Sequence, residues 1–99
     1  TLEVLGNGPV VCKASDTSCA DDRQGHGTHC AATVGGERYG VARKATLHAV
    51  KILSDTGRGS LSWFIEMLDW ILTNGEKPSI VSASLGGKGV FQSVSTSIL

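Results

Sequence analysis

The run Gly25-His26-Gly27-Thr28-His29-Cys30-Ala31-Ala32 gathers side chains of this chain that can move a proton or hold a metal. His26 stands between two glycines that leave its approach uncrowded, and the small residues after it suit the first turns of a helix. An imidazole presented in this way is suited to accept the proton of a hydroxyl nucleophile attacking a carbonyl. Two other uses of the same residues compete. Cys19, His26, His29 and Cys30 are all of zinc-ligand type. No Cys-x-x-Cys pair exists, however, and the adjacent His29 and Cys30 rarely face one ion, so no metal is expected. The plainer alternative is that His26 and His29 are ordinary core or surface histidines. The motif by itself leaves that open, and the residues that follow it weigh against it.

The elements that would position this imidazole can be read along the chain. Thr1 to Gln24 is irregular in pattern, with a turn at Gly6-Asn7-Gly8-Pro9, no more than an edge strand at Val10-Val11, and a surface acidic pair at Asp21 and Asp22. Thr28 to Val34 reads as a short buried helix, capped by Thr28 and ended by Gly35-Gly36 in left-handed geometry. Ala45 to Leu53 suits a mostly buried strand around Lys51, and Ser54 to Ser60 turns the chain. Leu61 to Asn74 is the clearest helix, because Glu66, Asp69 and Thr73 recur at spacings of three and four and define a narrow wet stripe on an apolar cylinder. Gly75 is placed to end it, Pro78 blocks its return, and Ser79 to Leu85 offers a second short strand. A strand, a helix and a strand in this order point to parallel neighbours and the α/β class, in a sheet that the chain does not complete.

Composition narrows the function classes. With 99 residues the chain holds one small domain or a piece of a larger one, and its start at Thr1 and stop at Leu99 read as those of an excised segment. Nine basic and nine acidic residues balance without a basic stripe, so no nucleic-acid partner is expected. The apolar run Trp63-Phe64-Ile65 is far too short for a membrane span, and no membrane partner is expected either. Of three cysteines, Cys12 and Cys19 are spaced to close one disulfide and leave Cys30 free, which points to a secreted, extracellular protein. Three reduced thiols in a cytosolic protein remain the alternative that spacing leaves open.

The histidine run, Tyr39-Gly40-Val41-Ala42 and Ser84-Leu85-Gly86-Gly87 together resemble, in order and interval, the histidine region and substrate-binding strand of subtilisin-like serine peptidases, closest to the proteinase K group. The resemblance runs from about Gly25 to the end. Ala32 departs from it, standing where the family usually has glycine. The resemblance implies a three-layer α/β fold with a parallel sheet, of which residues 1–99 would be a central portion of the peptidase domain: an irregular segment over 1–24, then the histidine helix, strand-helix-strand unit and substrate edges over 25–99. It implies a serine endopeptidase in which His26 is the general base, His29 is structural, and Cys30 lies beside the site, at least partly buried, without being the nucleophile. Protein or peptide substrates would lie between two extended edges. Gly57-Arg58-Gly59, with Ser60 and Leu61, would form one edge, and Ser84-Leu85-Gly86-Gly87 the other together with a wall of the S1 pocket. Arg58 and Leu61 would flank outer subsites that tolerate apolar or acidic side chains.

Several parts of such a machine have no counterpart in the sequence. The family's aspartate lies upstream of the histidine in an Asp-Thr/Ser-Gly block, and its serine and oxyanion asparagine lie well downstream. Asp55-Thr56-Gly57 comes after His26 and Asp16-Thr17-Ser18 too near it, so both read as imitations of the aspartate block. Ser82, Ser84, Ser93, Ser95 and Ser97 lack a Gly-Thr-Ser elbow, so none is a nucleophile, and the 99-residue chain alone is expected to be inactive. The resemblance implies no required cofactor, allows calcium in the longer protein without locating its ligands here, and allows an inhibitory propeptide; the protein is expected to be a monomer. The alternative function is a non-catalytic peptidase-like module that binds extended peptides by strand addition.

Overall fold

The computed structural model describes residues 1–87, so Ser93, Ser95 and Ser97 lie outside the described residues. Its elements, in chain order, are β1 (Leu2–Glu3), β2 (Val10–Val11), α1 (His26–Gly35), β3 (Val50–Lys51) and α2 (Leu61–Asn74). The sheet order is β2-β1-β3, with β1 antiparallel to β2 and parallel to β3. The chain is therefore of α/β type, and its described sheet is mixed.

Alternation of side chains explains how so short a sheet has two distinct faces. Leu2 and Val4 are buried, with Ile52 of the neighbouring segment and Met67 of α2, and Trp63, Phe64, Leu68, Trp70 and Ile71 pack around them. Glu3 and Lys51, paired in register, belong to the other set of alternating positions. The pairing is carried by Leu2 N–H donating to the Ala49 carbonyl and Val4 N–H to the Lys51 carbonyl, at 2.9 and 2.8 Å. The β1–β2 connection turns through Gly6 and Gly8, both at positive φ, as the Gly-Asn-Gly-Pro signal predicts.

β1 corrects the reading of Thr1 to Gln24 as irregular. The signal was the apolar alternation of Leu2 and Val4, and it covers too few residues to stand out without a partner strand. Three further expectations are corrected. The strand expected over Ala45 to Leu53 shrinks to Val50–Lys51, because β1 supplies hydrogen-bond partners only along that part; Leu47 is about half exposed. Residues Ser79 to Leu85 form no strand, and Ile80 is 96% exposed. Among the described residues no neighbour offers that segment a ladder, which an isolated apolar run cannot supply for itself. The parallel pair thus flanks α1, in the order β1, α1, β3, and not α2.

α2 has the boundaries its periodicity predicts. The Ser60 hydroxyl accepts from the Trp63 N–H at 3.2 Å, and the Gly75 N–H closes the last turn on the Ile71 carbonyl at 2.8 Å. Its cover is partial: Met67 is buried, while Leu72 is exposed. The stripe residues Glu66, Asp69 and Thr73 line a shallow pocket with Pro9, Trp70 and Asn74, which contains none of the candidate site residues. α1 is not the buried helix expected, since it carries no buried residue. It ends at Gly36 with φ −59° and ψ 140°, extended and not left-handed. A Cβ at Gly36 would lie 2.5 Å from the Ala32 carbonyl oxygen, so close approach, not a positive φ, selects glycine there.

Candidate functional site

His26 is the first residue of α1, and its side chain is exposed. Helix entry here differs from the expected Thr28 cap. Gly25 occupies the capping position at φ 105°, a conformation that glycine adopts without strain, and it has no side chain to receive the free N–H groups of the first turn. Asp22 supplies the acceptor from outside. One of its carboxylate oxygens accepts from the Gln24 and Gly25 N–H groups at 3.0 and 2.8 Å. The other accepts from the Thr28 N–H and hydroxyl at 2.9 and 2.5 Å. The His26 N–H is met by the Gln24 side-chain oxygen at 2.8 Å.

Thr28 is thus the third residue of the helix, and its hydroxyl donates to Asp22. These bonds, that from the Thr28 hydroxyl first, hold the Asp22 carboxyl well below the usual carboxylate range. Asp22 is the residue that sequence reasoning missed, having been read as a solvated surface charge. An aspartate four residues before His26, ahead of a glycine that cannot cap, was the available signal.

Behind His26, the thiol of Cys30 lies one helical turn on, with Sγ 3.8 Å from Nε2. Cys30 is free and half-buried, while Cys12 and Cys19 are joined by a disulfide, which removes Cys19 from any metal-ligand set. Among the described residues no group of three His, Cys, Asp or Glu side chains is placed to hold a metal. His29 is exposed; its N–H donates to the Gly25 carbonyl at 3.0 Å, and its own carbonyl accepts from the Thr33 hydroxyl at 3.1 Å.

The two glycine segments proposed as substrate edges differ in how they are held. Ser54 to Arg58 closes a compact turn, with the Ser54 N–H on the Arg58 carbonyl at 2.7 Å and the Gly57 N–H on the Ser54 carbonyl at 2.9 Å. Gly57 has φ 79°, and a Cβ there would lie 3.6 Å from the Gln24 side chain, which places this loop beside the histidine turn. Gly59 passes so close to the preceding strand segment that a Cβ would lie 2.6 Å from the Ile52 carbonyl oxygen. Arg58 is exposed. Ser84, Leu85, Gly86 and Gly87 are exposed and outside any strand, and no hydrogen bond joins them to residues 57–60 among the described residues.

The two imitations of an aspartate block have local partners. Asp16 accepts from the Ser18 N–H and hydroxyl and from the Cys19 N–H, and its carboxyl is held below the usual range by the Ser18 hydroxyl first. Asp55 accepts from Lys51 at 2.6 Å, which lowers its carboxyl as well. No described helix is long and apolar enough to cross a membrane.

The subtilase family matches residues 7–98. An extracellular serine proteinase of Thermus sp. (strain Rt41A) is 46% identical over 80 residues, covering 81% of this chain and 19% of that protein. An alkaline serine exoprotease A of Vibrio alginolyticus is 48% identical over 68 residues, 69% of this chain and 13% of the relative. A cuticle-degrading protease of Metarhizium anisopliae is 45% identical over 71 residues, 67% of this chain and 18% of the relative. The chain spans about a fifth or less of the length of these relatives. No solved structure matches.

Proposed function

The chain belongs to the subtilase family, and on that premise we propose that it is the histidine-bearing portion of a serine endopeptidase, with His26 the general base of a Ser/His/Asp triad. The observation that carries this reading is the family match over residues 7–98 together with an exposed imidazole between glycines at a helix entry pinned by Asp22. In acyl transfer the base must take the serine proton as the hydroxyl attacks and return it to the leaving amine, which requires a ring that substrate and nucleophile can both reach. The exposed His26 meets that requirement.

Substrate peptides would add as a strand to the backbone of Gly57 to Gly59 on one side and of Ser84 to Gly87 on the other, the latter ordered by neighbouring strands of the complete domain. That domain would have a three-layer α/β fold with a parallel sheet. The serine, the orienting aspartate and the oxyanion donor would come from other parts of a longer protein, and the product would be secreted, as the name of the Thermus relative says of that protein.

A fluorophosphonate probe tests the reading. The longer protein labels on a serine and loses labelling when His26 is replaced by alanine, while the 99-residue chain does not label. Labelling of the 99-residue chain would place the nucleophile among Ser82, Ser84 or another serine already rejected. An unlabelled longer protein that still binds extended peptides would favour the non-catalytic module.

A further inference from the structure

Lys51 is not an expected member of a serine peptidase site, yet it is the point at which the two halves of the candidate site meet. It lies in β3 with its side chain 15% exposed, on the sheet positions opposite the apolar core. Its Nζ donates to the Asp21 carbonyl at 2.7 Å, in the turn one residue before Asp22, and to the Asp55 carboxylate at 2.6 Å, in the loop that carries Gly57 and Gly59. Its register partner Glu3 grips the same turn from the adjoining strand, accepting the Ala20 N–H at 3.1 Å. Ala20 has φ 57°, a left-handed conformation that an alanine does not hold without such anchoring.

The chain of contacts is short and continuous. Lys51 fixes the Asp21 carbonyl; the next residue, Asp22, binds Gly25 and Thr28 on either side of His26; and Lys51 through Asp55 fixes the loop that lies against Gln24. One ammonium thus holds the base-carrying turn and a substrate edge in a single arrangement. An apolar side chain of similar length could not replace it, since both acceptors take their protons from this one nitrogen, and the bond to the Asp55 carboxylate is strengthened by its positive charge.

We propose that Lys51 is a positioning residue that couples the turn presenting His26 to the Gly57–Gly59 loop, so that general base and bound peptide share one register. The proposal rests on the peptidase reading for its functional consequence and on the present geometry for the coupling itself, and the two are tested separately.

The coupling is read by amide hydrogen exchange on the 99-residue chain, comparing Lys51→Met and Lys51→Arg with the unaltered sequence. In Lys51→Met the amides of Ala20, Gly25, Ser54 and Gly57 exchange about tenfold faster while Phe64 in α2 and Gly75 at its C-terminal cap keep their rates, and Lys51→Arg stays close to the original. Acceleration of one segment without the other, or uniform acceleration through α2, overturns the coupling. In the longer protein, Lys51→Met lowers kcat/KM on an extended peptide about tenfold or more, per site titrated with fluorophosphonate, with a smaller loss on a one-residue ester, and Lys51→Arg restores it. An equal loss on both substrates contradicts a role in holding the peptide edge. A longer protein that cleaves neither substrate refutes the peptidase reading and leaves the exchange result to decide the coupling.

Discussion

Replacing Cys12 and Cys19 together by serine removes the one covalent clamp on the segment that leads into the histidine turn. The cysteines stand seven positions apart, so the closed loop holds eight residues. For a loop of that length the loss of unfolded-chain entropy corresponds to about 2.5 kcal/mol at 25 °C. Both residues are half-buried, so no large cavity term is added. The folded loop keeps other ties: Asp16 still accepts from Ser18 and from the amide at position 19, and the amide at position 12 still donates to the Thr1 carbonyl.

The loss therefore falls on the balance between folded and unfolded chain. With four buried residues in the described core, that balance starts near the lower end of the usual range, about 5 kcal/mol, and is roughly halved. Urea unfolding of the 99-residue chain, followed by far-ultraviolet circular dichroism, measures it. At a slope of about 1 to 2 kcal/mol per M the midpoint falls by about 1 to 2.5 M. A midpoint unchanged within about 0.3 M at equal slope would refute the reasoning, because the loop would then be as restricted in the unfolded chain without the bond as with it.

Other outcomes follow from the same contacts. Ser60→Ala leaves the Trp63 N–H without its side-chain acceptor and lowers the stability of α2 by about 1 kcal/mol; an unchanged urea midpoint counts against the cap. Asp22 is lowered in the folded chain, so its contribution is complete above the unfolded carboxylate pKa of about 3.9 and is lost as pH falls below it. In an amide-shift titration, Gly25 and Thr28 then hold their positions at pH 4 and move only at lower pH; a midpoint near 4 contradicts the four-bond anchor. Gly59→Ala drives a Cβ against the Ile52 carbonyl and displaces the loop, visible as amide-shift changes at Ser54 and Gly57, whereas unchanged shifts would mean that the close approach is absent in solution.

What was legible in the sequence depended on how local its cause was. α2 was readable to the residue, because the recurrence of Glu66, Asp69 and Thr73 and the placing of Gly75 are signals carried by the helix itself. The entry to α1 was misplaced by two residues, since its cap comes from a carboxylate four residues upstream and Thr28 turns its hydroxyl outward to meet it. Strands fared worse. β1 exists because β3 and β2 flank it, and Ser79 to Leu85, with the stronger apolar pattern, has no described partner and forms none.

For the candidate site, the motif singled out His26, and the structure brings the Gly57 loop beside its turn while leaving Ser84 to Gly87 apart. Asp22 was invisible as a site residue because charge on a polar segment is ordinarily a solvated surface, and Lys51 because a single lysine in an apolar strand does not name its acceptors in the sequence. Their role arises from backbone groups that only the folded turn presents.

The central claim, that His26 is the general base of a serine peptidase, is tested most directly by steady-state hydrolysis of a peptide amide by the longer protein with and without His26→Ala. The account predicts a loss of kcat of about a thousandfold or more with KM changed by less than about threefold, since the base acts in the transition state and not in ground-state binding. A variant that keeps kcat within about tenfold, or that loses activity through KM alone, would contradict it.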